Sequence, residues 1–429
     1  MIDSLSNKDF KKIGDRIRQN PNNVDKADLD VLQELRTSYK DDLSSVFNIL
    51  VSLTRKIDKK AIITYRVKRI ESIISKLIRQ PQMQVNRMAD IAGCRCILQT
   101  NANVIRLCKE LSNCIIVKNI NDYISNPKPN GYSSLHLMVQ SPSNPKHTIE
   151  IQLRTQTQHN WATLVEITDL ILQTKIKEFE NNEDLVLFHR LLAKDMNVLS
   201  SEEMRSILSI ARRYSYFEKI SAIFNNNYIE VRNSWNRSQT GRKNFFLLAT
   251  GSDGKPSIQT FSTFDEAEKE YYALYNSNTD GKNIVLTHIN NANFEQISMA
   301  YSNYFLTYNE LFFTCYSIAS KLTIEEYMGN QPYLFLKTYP FFWKFTKDIL
   351  GTHLTDYIEF RTKGVKIPSS KKKQEWMGSI TKHMERTFKI LSQTHSRTPY
   401  SWKRKRCSII KWMCLHVPSN RQIKLLRNK

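Results

Sequence analysis

Apolar and polar positions in the first 160 residues follow two different periods. Apolar side chains recur every three or four positions from 28 to 57, which predicts one long amphipathic helix. Shorter helices are predicted over about 67–79 and over 102–113. Strands are predicted, in chain order, at 93–98, 114–117, 133–140 and 147–154. Because helices interrupt this series of strands, the pattern predicts an α/β (α+β) fold with a mixed β-sheet covered by helices.

The second half of the chain predicts a helical stretch and then a small ββαβ module. Residues 156–235 are mostly helical in pattern, and a polar break follows at 236–241. Asp253-Gly254 is a hairpin signal, and Thr263-x-x-Glu266 is typical of a capping box at the start of a helix. The module's strands are predicted at 245–250, 257–261 and 284–289, and its helix at 264–276.

These patterns divide the chain into five segments. An N-terminal helical region (1–59) precedes the mixed-sheet domain (60–175), a helical extension (176–236), the small α/β module (237–321) and a strongly basic tail (322–429).

Composition excludes several classes of protein. Of the 429 residues, 41% are hydrophobic and 24% are charged, which is typical of a globular chain and excludes wholesale disorder. Only 11 glycines are present, which argues against propellers and against a dinucleotide fold with its glycine-rich turn. There is no run of about 18 apolar residues and no apolar signal core at the start, so a cytoplasmic protein without a membrane span is expected.

The charge is concentrated at one end of the sequence. The net charge is +22, and the segment from Thr323 to Lys429 has 22 lysines and arginines but only 7 acidic residues. Such a tail is either a solvated, poorly ordered extension or a surface for a polyanion. Tyr400, Trp402 and Trp412 among the cations suit RNA, while a membrane surface or a protein partner are further alternatives.

Polar candidates lie on one predicted strand and on the loop before it. The strand at 147–154 has aliphatic side chains on one face and Glu150, Gln152 and Arg154 on the other, so its polar face is either solvated or lines a cleft. The loop at 122–136 has two prolines and a glycine that restrict its conformation. It presents four further candidates: Lys128, Asn130, Tyr132 and His136.

Three kinds of group among the candidates suit nucleotide chemistry. Asp90 and Glu150 are carboxylates of the kind that binds Mg²⁺, and Tyr132 is a ring that can stack on a base. Cations suited to phosphate groups are Arg66, Lys68, Lys76, Arg95, Lys128 and Arg154. Phosphoryl or pyrophosphoryl transfer between nucleotides requires this combination, although the sequence has no Walker A motif.

The candidate residues stand in four ordered motifs. They are Arg66-x-Lys68-x-x-x-Ser72-Ile73-x-x-Lys76, Asp90-Ile91-Ala92-Gly93-Cys94-Arg95, the loop from Asp122-Tyr123 to His136, and Glu150-Ile151-Gln152-Leu153-Arg154-Thr155. Together these motifs resemble the RelA/SpoT-type (p)ppGpp synthetase family. The resemblance covers about residues 60–170. It implies a nucleotidyltransferase-like synthetase domain that transfers the β,γ-pyrophosphate of ATP to the 3′-hydroxyl of GDP or GTP, an alarmone synthesis that slows growth.

The same resemblance implies a role for each candidate residue. Asp90 and Glu150 bind the Mg²⁺ cofactor, and Glu150 also takes the proton from the attacking hydroxyl. The implied ATP-binding residues are Arg66, Lys68, Lys76 and Arg95. The implied acceptor-binding residues are Lys128, Asn130, Tyr132, His136 and Arg154.

Two departures from the family pattern affect these expectations. Asn121 stands where family members usually have a charged residue before the Asp-Tyr of the loop, which leaves the acceptor open. No histidine precedes His136, which excludes the histidine-dependent hydrolase of the bifunctional members. A monofunctional synthetase is therefore expected, and the oligomeric state is not specified by the sequence.

Alternative interpretations remain open. The same chemistry on the 3′ end of tRNA is the activity of toxin members of this family, and an inactive nucleotide- or RNA-binding module is a third hypothesis. The site residues also have structural interpretations: the basic residues at 66–76 as a solvated helix face, Asp90 as a cap, Tyr132 as a loop anchor, His136 as a core histidine and Glu150 on a solvated edge strand.

Overall fold

The fold comes from a computed structural model of the 429-residue chain. The structure describes residues 2–172, 182–216, 243–250, 256–277, 283–290, 293–301 and 310–328, and the single positions 219, 235, 334 and 338. The chain divides into two compact units, the first made of residues 1–193 and 217–308 and the second of residues 194–216 and 309–429. The polar break at 236–241 and nearly all of the basic tail at 322–429 lie outside the described residues.

The N-terminal region consists of helices. After a 3₁₀ turn at Ile2–Ser4 come α1 (Asn7–Gln19), α2 (Lys26–Thr37) and α3 (Lys40–Ile57). The prediction of a single helix over 28–57 is wrong, because the chain breaks between α2 and α3. The Ser38 hydroxyl donates to the carbonyl of Leu35 at 2.8 Å, and Tyr39 leaves the helical conformation at ψ 5°. A serine that hydrogen-bonds the last turn in this way competes with continuation of the helix.

Eight strands form one sheet in the first unit. They are β1 (Ile62–Val67), β2 (Ala92–Leu98), β3 (Val117–Asp122), β4 (Leu135–Gln140), β5 (Thr148–Thr155), β6 (Phe245–Thr250), β7 (Pro256–Phe261) and β8 (Asn283–His288). Their spatial order is β3-β4-β5-β2-β1-β8-β6-β7. β2 and β5 run parallel and the other neighbours antiparallel, so the predicted mixed sheet is confirmed.

Strand β1 was not predicted from the sequence. It lies in the middle of the sheet and all its residues except Arg66 are buried, so its apolar positions do not alternate. The predicted helix over 67–79 therefore begins later, as α4 (Ile70–Arg79). Arg66 is a strand residue and Lys68 lies in the turn that follows, so their predicted place on a helix is wrong.

Helices cover the apolar face of the sheet. Alternate residues of β1, β2, β4 and β5 on this face, such as Cys94 and Ile151, join a core with α1–α4 and with α5 (Asn101–Cys114). On the opposite face, α6 (Gln156–Leu172) packs against β2 and β5. α7 (Glu183–Leu192) follows α6, and Phe188 of α7 is fully buried. This opposite face carries the polar side chains of the middle strands.

The predicted ββαβ elements are present, but they do not form a sheet of their own. α9 (Phe264–Asn276) begins with the predicted Thr263–Glu266 capping box, and α10 (Phe294–Ala300) follows β8. Strand β8 pairs antiparallel with β1, so β6, β7 and β8 extend the first sheet. The reason is that β1 pairs with β2 along one edge only, and its other edge would be unpaired without β8. An unpaired edge is a template for another strand. The predicted Asp253-Gly254 turn lies outside the described residues.

The second unit contains two described helices of more than one turn. α8 (Ser201–Arg213) and α11 (Glu310–Met328) are joined by a hydrogen-bonded ion pair from Arg205 Nε to Glu326 Oε1 at 3.0 Å. The start of the predicted tail, residues 322–328, is thus the last part of α11. Among the described helices of the chain, none has the length and apolar character that crossing a membrane requires.

Buried His189 makes the fold sensitive to acid. Neither of its ring nitrogens has a hydrogen-bond partner in the part of the chain that the structure describes, and burial lowers its pKa to about 3. In the unfolded chain this histidine has an ordinary pKa near 6.5 and binds a proton below that pH, whereas in the folded chain it stays neutral down to about pH 3. The contribution of His189 to the free energy of unfolding is therefore fully present above pH 6.5 and decreases as the pH falls toward about 3.

We expect His189→Phe to reduce this sensitivity. Its free energy of unfolding should fall between pH 7 and pH 5 by about 2 kcal/mol less than that of the wild type. Urea unfolding at the two pH values measures the difference, and equal decreases in both proteins would contradict it.

Candidate active site

The register of the sheet brings the predicted polar residues onto one face. Arg66 of β1 lies opposite Gly93 of β2, which in turn lies opposite Glu150 of β5. Gly93 allows this close approach, since a Cβ at that position would lie 3.0 Å from the carbonyl oxygen of Glu150. The next row across the same face contains Thr64, Arg95, Gln152, His136 and Asn121.

Asp90 is held by two ammonium groups. Lys68 Nζ lies 2.8 Å from Asp90 Oδ2, and Lys76 Nζ from helix α4 lies 2.7 Å from Oδ1. Burial alone would raise the pKa of the Asp90 carboxyl, but the two lysines outweigh burial and bring it to about 2. Asp90 is therefore ionised at neutral pH, and both lysines are held close together where a polyphosphate could replace it as their partner.

Glu150 lies at the end of a hydrogen-bonded chain of side chains. His136 Nδ1 donates to Glu150 Oε1 at 2.9 Å, which leaves His136 Nε2 to accept from the Tyr132 hydroxyl at 2.8 Å. Gln152 Nε2 donates to the second carboxylate oxygen, Oε2, at 2.8 Å. Burial would raise the pKa of Glu150, but the hydrogen bond from His136, together with the one from Gln152, outweighs it, and the pKa lies below its ordinary value. Glu150 is thus an oriented, ionised carboxylate.

Three arginines line the same face, and none of them hydrogen-bonds to an acidic side chain within the described part of the chain. Arg66 is exposed, whereas Arg154 is buried and Arg95 is partly buried. Among the described residues, the buried Nε atoms of Arg95 and Arg154 have no hydrogen-bond acceptor. Burial and the charge of its neighbour Arg95 lower the pKa of Arg154 to about 9, and burial and the charge of Arg66 lower that of Arg95. A cluster of partly dehydrated cations of this kind is suited to a polyanionic ligand.

The loop before β4 aims Tyr132 at this cluster. The hydrogen bonds from Lys128 N to Tyr132 O at 3.0 Å and from Gly131 N to Lys128 O at 2.8 Å close the loop. Lys128 Nζ lies 4.7 Å from the centre of the Tyr123 ring and 5.4 Å from that of Tyr132. Asn130 is buried, and its Oδ1 accepts from the backbone N–H of Tyr132 at 3.0 Å. This hydrogen bond lies within the loop and stabilises its conformation.

Gly131 is the position where the loop tolerates no side chain. Its φ is +93°, and a Cβ there would lie 2.8 Å from the Cβ of Ala193. We expect Gly131→Ala to lower the free energy of unfolding by about 1–3 kcal/mol and to reduce activity, because Tyr132 follows directly. Gly14→Ala is the control: its Cβ would meet only the side chain of Arg18 at 3.4 Å, and alanine favours helix α1. Equal stability changes in urea unfolding would contradict this prediction.

The structure places most predicted site residues as one set. Asp90 contacts Lys68 and Lys76, and Glu150 contacts His136, which contacts Tyr132. The sequence analysis gave Gln152 no role, although this residue lies within the Glu150–Thr155 motif. It also missed Tyr301, which is far away in sequence, buried, and lies with its ring centre 6.0 Å from the guanidinium carbon of Arg95.

Asp90 and Glu150 together fit a divalent metal ion that is shared with a substrate. The Asp90 charge raises the pKa of Glu150, so the two carboxylates interact electrostatically. Within the described part of the chain, no group of three or more histidine, cysteine, aspartate or glutamate residues could hold a metal. Mg²⁺ needs no such cage, because it is commonly bound by one or two carboxylates together with water and substrate phosphates.

Comparison with known proteins identifies the same part of the chain. Residues 65–168 match the family model described as the region found in RelA / SpoT proteins. GTP pyrophosphokinase YwaC of Bacillus subtilis is 39% identical over 112 residues, which cover 23% of this chain and 53% of YwaC. GTP pyrophosphokinase YjbM of the same organism is 38% identical over 112 residues, which cover 24% of this chain and 53% of YjbM.

A solved structure aligns with a larger share of the chain. Small alarmone synthetase 2 from Bacillus subtilis is 26% identical and covers 42% of this chain and 97% of its own, with a TM-score of 0.33. The chain spans about half the length of the curated relatives it matches. Residues 65–168, which contain all four motifs, are therefore similar to the RelA/SpoT-type family.

Proposed function

We propose that the chain transfers the β,γ-pyrophosphate of ATP to the 3′-hydroxyl of GDP or GTP and releases AMP, which produces (p)ppGpp. One observation carries the proposal: a carboxylate held by two lysines, just before β2, interacts electrostatically with an oriented second carboxylate, which shares the polar face of the sheet with a cluster of arginines. The relatives named GTP pyrophosphokinase support the same reaction.

The donor side of the proposed site is made of cations. Lys68 and Lys76 bind the ATP phosphates by exchanging part of their contact with Asp90 for phosphate oxygens, since both ammonium groups already converge on one point. Arg66, which is exposed, and Arg95 stack on the adenine ring. These contacts hold the donor while its β-phosphorus is attacked.

The acceptor side is made by the loop and by β5. Tyr132 stacks on the guanine base, and Lys128 and Arg154 bind the acceptor's phosphates. His136 and Asn130 orient this set, the first through its bond to Tyr132 and the second through the backbone of the loop.

Glu150 is the proposed general base. Its ionised carboxylate accepts the proton of the acceptor's 3′-hydroxyl as the new O–P bond forms and the bond from phosphorus to the AMP oxygen breaks. The hydrogen bonds from His136 and Gln152 fix the orientation of the carboxylate before substrate arrives. Asp90 and Glu150 would hold Mg²⁺, which neutralises charge on the transferred group.

The test follows the pyrophosphate to its acceptor. Purified protein is incubated with ATP labelled at the β- and γ-phosphates and with Mg²⁺, and GDP, GTP or bulk tRNA is offered separately. Label on the guanosine nucleotide together with release of AMP supports the proposal. Absence of label from all three acceptors contradicts it and favours an inactive nucleotide- or RNA-binding module.

Transfer to the 3′ end of tRNA is the second candidate. The observations that favour it are the net charge of +22, the excess of 22 basic over 7 acidic residues in 323–429, and Asn121 in place of a charged residue. Label on tRNA alone would select this acceptor. In that case transfer should fall steeply as salt rises, because each phosphate contact releases counterions, whereas transfer to GDP should depend much less on salt.

A further inference from the structure

A buried ion pair lies beneath the turn that carries Lys68. Arg36 of α2 is fully buried, and its Nη1 and Nη2 donate to the Glu268 carboxylate of α9 at 3.0 and 3.3 Å. Gln33 hydrogen-bonds to both partners. The ring of Tyr271, also on α9, lies with its centre 4.0 Å from the guanidinium carbon. All four residues lie outside the part of the chain that matches the family model.

This cluster contacts the main chain of the turn between β1 and α4. Arg36 Nε donates to the carbonyl oxygen of Lys68 at 2.7 Å. The backbone N–H of Lys68 donates to the carbonyl oxygen of Ile91, also at 2.7 Å. The Tyr271 hydroxyl accepts from the backbone N–H of Ile70 at 3.1 Å, one of the amides at a helix start that has no partner within the helix. The turn is therefore fixed on both sides of Lys68.

A buried ion pair is a costly way to join two helices. Removing both charges from water costs several kcal/mol per ion, and apolar side chains of similar volume hold helices together equally well. Apolar side chains cannot donate to a carbonyl oxygen, however. The feature that apolar side chains could not supply here is the hydrogen bond from Arg36 Nε to the carbonyl oxygen of Lys68.

We infer that Arg36, held by Glu268 and Tyr271, is a positioning residue for Lys68, so that binding of the donor phosphates depends on helix α9. The inference rests on the proposed function, in which Lys68 contacts the ATP phosphates. Lys68 Nζ lies 2.8 Å from Asp90, and a displacement of its backbone by about 1 Å is enough to change a catalytic rate by about two orders of magnitude.

Two tyrosines that are adjacent on α9 provide a matched test. Tyr271→Phe removes the acceptor for Ile70 and keeps the ring under Arg36. Tyr272→Phe is the control: the Tyr272 hydroxyl donates to Asp30 Oδ1 at 2.5 Å, so it also joins α9 to α2, but it makes no hydrogen bond to the described turn at 68–70. We expect Tyr271→Phe and Glu268→Gln to raise the KM for ATP about tenfold, with the KM for GDP changed less than about twofold. Tyr272→Phe should keep the wild-type KM for ATP.

A binding measurement separates this inference from the proposed function. Calorimetry with a non-hydrolysable ATP analogue measures donor binding without turnover and without an acceptor. Tyr271→Phe and Glu268→Gln should bind the analogue more weakly than the wild type, and Tyr272→Phe should bind it as the wild type does. If the wild type transfers no pyrophosphate and does not bind the analogue, the proposed function fails.

If the wild type is active and Tyr271→Phe binds ATP normally, the positioning role is refuted while the function stands. Equal losses for ATP and GDP, with a fall in Tm matched by Tyr272→Phe, would also refute it. Should Glu268→Gln fail to fold, Tyr271→Phe still decides, because it removes one oxygen from an intact ring.

Discussion

Glu150→Gln should abolish pyrophosphate transfer, with a loss in kcat of about 10³-fold or more. The substitution keeps the size of the side chain but removes the negative charge that accepts the hydroxyl proton and binds the cation. His136 would still have an amide oxygen to donate to, so the chain from Tyr132 to residue 150 can remain in place. Little change in stability is therefore expected, and the loss should appear in kcat. Steady-state transfer assays with GDP as acceptor measure it.

The Mg²⁺ dependence distinguishes the two roles of Glu150. If the residue only binds the metal, a high Mg²⁺ concentration should restore much of the activity of Glu150→Gln. If it is the base, the variant stays inactive at every Mg²⁺ concentration. Exposed Glu202→Gln on α8, in the second compact unit, is the matched control and should keep wild-type kcat. Near-normal transfer by Glu150→Gln would show that the base is another group.

Asp90→Asn should have an effect of the same size and should also destabilise the protein. Asparagine leaves the ammonium groups of Lys68 and Lys76 close together without a counter-charge, and the three side chains are only 19–20% exposed. Losing one partner of such a cluster costs about 1–3 kcal/mol. We therefore expect a loss of at least about 10³-fold in kcat/KM for ATP, together with a lower free energy of unfolding.

An ion pair away from the site serves as the control for Asp90→Asn. Asp28 is buried and receives two hydrogen bonds from Arg16, at 2.9 and 2.5 Å, on the N-terminal helices. Asp28→Asn should lower stability by a similar amount and leave kcat/KM for ATP within about threefold of the wild type. Loss of activity in proportion to loss of stability in both variants would mean that Asp90 is structural.

The elements that could be predicted are those whose local sequence pattern matches their place in the fold. Strand β5 alternates buried and polar residues because only one of its faces meets the main core, and its predicted bounds were nearly correct. The capping box at Thr263 is a local hydrogen-bonding pattern, so the start of α9 was also correct. Strand β1 lies between two strands and is buried on both faces, which removes the alternation that would have revealed it.

The candidate site was predictable to the extent that its residues stand in short motifs. Asp90, Lys68 and Lys76 were named from the sequence, but their mutual ion pairs depend on the turn after β1 and on helix α4. The ion pair of Arg36 with Glu268 could not be predicted, because its partners are 232 positions apart and each resembles an ordinary surface charge of an amphipathic helix. Long-range side-chain pairs of this kind leave no local pattern in the sequence.

The pairing of β8 with β1 affects how the protein can be divided for study. A fragment that stops at residue 172 would contain every motif of the family but would lack β6, β7 and β8. The edge of β1 that pairs with β8 would then expose unpaired amide and carbonyl groups, which could pair with a strand of another molecule. Such a fragment should self-associate through the exposed edge of β1, and its poor solubility would result from the missing strands and not from the residues of the candidate site.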